Sequence, residues 1–133
     1  MLGMYGIKTI KESQMLSGYK MNKAIIFFLF WALGSSLIWV QTNGQFLWSS
    51  FAKNPFLLSL VFGTLISYIM ILATKYGFSV LNGSLWSIKF VGFSIGMIIN
   101  SLLNFYLMNE GMNMKTLICI LLSFIIITIQ FWK

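Results

Sequence analysis

Apolar positions in this chain gather into four long runs, Ala24–Val40, Phe56–Ala73, Leu85–Leu107 and Thr116–Trp132, parted by short polar links. An α-helix rises about 1.5 Å per residue and a bilayer core is about 30 Å thick, so runs of roughly 17–25 apolar residues can cross it. The pattern predicts an all-α integral membrane protein with four transmembrane helices in a small-transporter-like bundle. Residues 21–133 form that transmembrane domain, with helices at about 24–40, 56–73, 85–107 and 116–132. Residues 1–20 are polar and lack a sustained apolar run, so they read as an N-terminal extension. They also lack the cationic-then-apolar order of a secretory signal. Two readings stay open for them: an interfacial helix with Ile7, Ile10 and Met15 on one side, or a loosely ordered segment upstream of a start at Met21.

The links carry turn chemistry. Gln41-Thr42-Asn43-Gly44 predicts the end of the first span, and Pro55 suits the first turn of the second, where its missing N–H costs little. Thr74-Lys75-Tyr76-Gly77 is expected to close the second span, and Leu81-Asn82-Gly83-Ser84 to lead into the third. Asn109-Glu110-Gly111-Met112-Asn113 joins the third to the fourth. Trp48, Tyr76, Trp86, Tyr106 and Trp132 fall near predicted ends, where amphipathic rings favour the headgroup zone.

Polar positions inside the spans mark faces. At 100° per residue, Lys89, Gly92, Gly96, Asn100 and Asn104 fall within about 120° of one another, with Trp86 and Phe93 on the same side. Beside them runs a row at heptad spacing, Ser87, Ser94 and Ser101. Such a face belongs against protein or a cavity, because small residues let backbones approach and Asn side chains hydrogen-bond across helices. The second span has a close-packing stripe of Ser59, Gly63 and Ser67 with Tyr68 beside it. The fourth has Thr116, Cys119, Ser123 and Gln130 on one side, which suits a helix–helix seam within or between chains. The first is rich in aromatics, and Trp31 and Trp39 are candidates to line a cavity or to pack.

Composition narrows the functions. Hydrophobic residues make up 59% of 133 positions and charged residues only 8%, against roughly 25% charged in soluble domains. Histidine and Asp are absent, the carboxylates are Glu12 and Glu110, and Cys119 stands alone. No metal site, cofactor, disulfide framework or two-carboxylate chemistry is expected, and so no enzyme activity. The net charge of +7 comes from Lys residues that flank apolar runs, which argues for a lipid bilayer and against nucleic acid as the partner. The side shared by both chain ends and the second link holds Lys8, Lys11, Lys20, Lys23, Lys75 and Lys133; the other holds Lys53 and Lys115. This bias places both termini in the cytoplasm of a multi-pass protein of the inner or cytoplasmic membrane. Without the first twenty residues it falls to three Lys against two.

Lys89 is the one ionisable group within a span. At a helix centre it costs about 2.5–3.5 kcal/mol on insertion scales, so it either faces a cavity or snorkels to the interface. Facing a cavity, its amine favours an anionic or zwitterionic solute, with Asn100 contributing and Trp31, Trp86 and Tyr68 shaping the site. Glu110 is expected to cap the fourth helix or to pair with Lys115.

Trp31-Ala32-Leu33-Gly34-Ser35-Ser36-Leu37, Leu85-Trp86-Ser87 and Phe105-Tyr106-Leu107-Met108-Asn109-Glu110 resemble the small multidrug resistance family and the wider drug/metabolite transporter superfamily. The resemblance covers Met21 to Lys133. It implies a transporter fold, pairing as antiparallel homodimers, and a cavity role for Trp86. It breaks at Trp31, which stands where the family carries its proton- and drug-binding Glu, so cation exchange is not implied. The expectation is a transporter-like homodimer moving a small metabolite or an anionic or zwitterionic solute. The alternative is a holin-like or accessory membrane protein without saturable transport.

Overall fold

A computed structural model describes the backbone of residues 2–132 and the side chains of residues 13–132. Five helices follow in order: α1 (Leu2–Leu47), the short α2 (Ser49–Lys53), α3 (Pro55–Val80), α4 (Leu85–Leu107) and α5 (Met114–Phe131). Among the described residues there is no strand. Helices α1, α3, α4 and α5 are each long and apolar enough to cross a bilayer, so the protein is a four-helix, multi-pass membrane protein.

Turn chemistry sets the α4 boundaries where the sequence placed them. Asn82 (φ 53) and Gly83 (φ 77) adopt left-handed backbone, and the Ser84 side chain accepts from the Ser87 N–H to cap α4. At the far end Asn109 (φ 53) turns the chain, and Glu110 N–H donates to Asn104 O at 3.2 Å. The cap of α5 is Asn113, whose Oδ1 accepts from Thr116 N at 2.9 Å, so Asn113 takes the role expected of Glu110. Pro55 occupies the first turn of α3, as expected.

Two polar links do not break their helices. Helix α1 runs through Gln41–Gly44 to Leu47, because Thr42 Oγ1 bonds back to Ile38 O at 2.8 Å and Gln45 Nε2 donates to Thr42 O at 2.9 Å. These side chains satisfy local carbonyls without leaving the helix. Helix α3 continues through Thr74–Gly77 to Val80. At about 1.5 Å per residue, the 46 residues of α1 extend about 69 Å, over twice the bilayer core. The side chains of Lys8, Lys11, Ile7, Ile10 and Lys133, which bear on the expected interfacial face and charge bias, lie outside the described residues.

The four spanning helices are ordered α3–α1–α4–α5. Helix α1 packs against both α3 and α4, α4 packs against α5, and α3 does not reach α5. Helix α1 is gripped by two aromatic-into-glycine contacts one turn apart. A Cβ on Gly77 of α3 would lie 2.6 Å from the Phe27 ring, and one on Gly92 of α4 would lie 2.5 Å from the Trp31 ring. Only a residue without a side chain admits rings this closely. Phe27, Val80, Leu81, Ile88, Val91 and Ile95 form the core beside these contacts. Of α5 only Ser123 is buried, so α5 is held along one narrow stripe.

Candidate functional site

Helix α4 has two different protein-facing sides. Toward α1 it presents Gly92 to Trp31, Gly96 to Ser35 (3.5 Å from a Cβ on Gly96 to Ser35 Oγ) and Asn104 to Trp39. Trp39 is fully buried, and its Nε1 donates to Asn104 Oδ1 at 2.6 Å. This indole–amide bond satisfies the Trp39 N–H in a region where no bulk water can. It joins positions 65 residues apart.

Toward α5 the polar residues of both helices sit along one seam that widens into a cleft at each end. The cleft at the Glu110 end has a volume of about 310 Å³ and is lined by Asn100, Ser101 and Asn104 of α4 and by Lys115, Thr116 and Cys119 of α5, with Glu110 from the link. The cleft at the Asn82 end has a volume of about 460 Å³ and takes Ser84, Ser87 and Gln130 into its wall, together with Lys20 of α1. Ser94 lies between the clefts on the same heptad row as Ser87 and Ser101. It is fully buried, and its Oγ has no hydrogen-bond partner among the described residues. On α5, buried Ser123 lies between Cys119 and Gln130 in the same way. The row of polar residues expected on α5 thus faces α4 of its own chain.

Most hydroxyls along the seam are answered locally. Ser101 Oγ donates to Met97 O at 2.8 Å, Ser123 Oγ to Cys119 O at 2.9 Å, and Ser87 Oγ to Ser84 Oγ at 2.9 Å. Asn100 Nδ2 donates to Gly96 O at 2.9 Å, leaving Asn100 Oδ1 for the cleft. Ser94 is different: its hydroxyl is buried and unanswered, a state that costs free energy unless a further molecule meets it. The Trp31 Nε1–H is also buried without a partner.

The clefts differ in charge. The Glu110 end is lined by both an amine, Lys115, and a carboxylate, Glu110. At the Asn82 end Lys20 is the one charged lining residue among the described residues, and its Nζ lies 3.4 Å from Asn82 Oδ1.

The sequence-predicted site residues are distributed over four places. Trp31 is in the α1–α4 seam, and Asn100 lines the Glu110-end cleft. Lys89 and Trp86 (78% exposed) point outward from α4, and Tyr68 (62% exposed) points outward from α3. Lys89 lines neither seam cleft, and four residues after the α4 start it lies about 6 Å along the helix, within reach of the headgroups. The structure therefore does not bring Lys89 and Asn100 together. Trp39, a candidate to line a cavity or to pack, is fully buried and bonded to Asn104, whereas Lys20 and Gln130 were not singled out as site residues. For Gln130 and Ser94 the signal was present in the heptad rows, whereas nothing in the local pattern pairs Trp39 with Asn104. The chain matches no protein-family model, no curated protein and no solved structure.

Proposed function

We propose that this protein is a transporter-like membrane protein that moves a small solute along the α4–α5 seam. One observation carries the reading: a buried, unpartnered Ser94 hydroxyl midway between polar clefts that open at opposite ends of the same helix pair. The α1–α4 seam also holds an unpaired group, Trp31 Nε1, and what sets the α4–α5 seam apart is the polar cleft at each end. The seam offers hydroxyl and amide contacts to a polar or zwitterionic solute, with Asn100 and Asn104 at one entrance. The resemblance to small multidrug resistance proteins supports the same class of function, and Trp31, at the position of that family's Glu, removes the acidic carrier for cations. The Lys count, six against two with the first twenty residues and three against two without them, supports a cytoplasmic Asn82 end.

Two copies form the working unit in this reading. Ser59, Gly63 and Ser67 lie together on the outer face of α3, where nothing lies within 4 Å of a Cβ on Gly63. Small residues at this spacing allow a second helix to approach closely. Gly63→Ile is expected to shift the protein from dimer to monomer in detergent, read by light scattering.

Flux is tested in sealed proteoliposomes with a panel of radiolabelled small organic anions and zwitterions. Saturable uptake that is lost in Ser94→Phe, which plugs the seam, and kept in Phe124→Leu on the exposed face of α5, supports the proposal. Collapse of the membrane potential with unselective leakage, equal in both variants, favours a holin-like role and contradicts it.

A further inference from the structure

We infer that the cleft at the Asn82 end binds the phosphate headgroup of an anionic phospholipid drawn from the surrounding leaflet. This site stands whether or not a solute passes along the seam. The cleft lies where α1, the α3–α4 turn and α5 meet, and its volume of about 460 Å³ falls within the range of small-molecule pockets, roughly 300–1,000 Å³. Its wall is divided by chemistry. Lys20, Ser84 and Gln130 can donate hydrogen bonds, the Ser87 hydroxyl being given to Ser84 Oγ, and Phe131 and Trp132 supply exposed apolar surface.

The charge of the wall selects an anion. Lys20 has no carboxylate beside it in the cleft, and among the described side chains the one carboxylate, Glu110, belongs to the opposite end. The first N–H groups of α4, which no intrahelical carbonyl can accept, lie next to Ser84 and add positive potential. The apolar part of the wall selects a molecule with a hydrocarbon portion. Trp132, 80% exposed at the end of α5, marks the headgroup level at which such a molecule enters. A free phosphate ion would satisfy Lys20 and the Ser84 hydroxyl but leave Phe131 and Trp132 uncovered.

Lipid retention on the purified protein in neutral detergent tests this, read by native mass spectrometry after adding phosphatidylglycerol or phosphatidylcholine at equal concentration. The expected result is selective retention of phosphatidylglycerol, with Lys20→Gln weakening it about tenfold, the size of one charge-assisted hydrogen bond. Lys75→Gln, which removes an exposed amine of α3 outside the cleft, is expected to leave retention unchanged. Gln130→Leu gives a second, uncharged test and should also weaken retention. Competition arms with inorganic phosphate and glycerol phosphate separate headgroup from tail, and neither should displace the lipid at matched concentration. Equal losses in the Lys20 and Lys75 variants, no preference for phosphatidylglycerol, or displacement by inorganic phosphate would each overturn the assignment.

Discussion

The two protein-facing sides of α4 answer the same problem, burying polar groups in lipid, in opposite ways. Against α1 the interface is close: Gly92 receives the Trp31 ring, and Asn104 answers the Trp39 indole, while the Trp31 N–H stays unpaired. Against α5 the interface is lined with hydroxyls, opens at both ends, and leaves Ser94 unanswered. A membrane helix pair has no hydrophobic driving force of its own, so its stability rests on close packing and satisfied hydrogen bonds. Each side leaves one buried group unanswered, the Trp31 Nε1–H toward α1 and the Ser94 hydroxyl toward α5. The α1 side is packed closely around aromatic rings, whereas the α5 side carries a polar cleft at each end.

The comparison breaks most readily at Gly92. Gly92→Leu forces a side chain into the space of the Trp31 ring and should destabilise the fold by about 3 kcal/mol, the upper end for overpacking. The check is the unfolding midpoint in a graded SDS titration. An unchanged midpoint would mean that α1 and α4 do not meet this closely.

A smaller effect is expected at Asn104. Asn104→Leu leaves the buried Trp39 N–H without its acceptor and should cost about 1–2 kcal/mol. The double variant with Trp39→Phe should recover part of that loss, because both partners are then apolar. Additive losses in the cycle would show that the two residues are not coupled.

The smallest effect on stability belongs to Ser94. With no partner to lose, Ser94→Ala should change stability by about 0.5 kcal/mol or less, or raise it. A loss near that of Asn104→Leu would show that Ser94 is bonded within the fold and would make the two sides of α4 alike.

The spans were legible because lipid imposes a length and a composition that few other environments require. The ends of α4 were legible because Asn82, Gly83 and Asn109 adopt backbone that ends a helix. The Gln41–Gly44 signal misled because Thr42 and Gln45 also bond back to carbonyls of a continuing helix. The α4 wheel grouped Lys89 with Gly92, Gly96, Asn100 and Asn104, yet Lys89 is exposed, Gly92 is buried against α1, and Asn100 and Asn104 reach a cleft. A wheel treats the contact face as a straight line, whereas crossing helices meet different angles at different heights. Trp39 and Asn104 meet because of that crossing, and no local pattern records it. The Ser row was visible as a row; which helix it faces depends on the order α3–α1–α4–α5.

Thiol labelling of single cysteines most directly tests whether the α4–α5 side is open to a polar molecule. In a Cys119→Ser background, Ser94→Cys should react with a small, water-soluble methanethiosulfonate in proteoliposomes, and Phe93→Cys on the exposed side of α4 should not. Protection of the cysteine at 94, with labelling no greater than at 93, would mean that the seam is sealed and that α4 is scaffold on both sides.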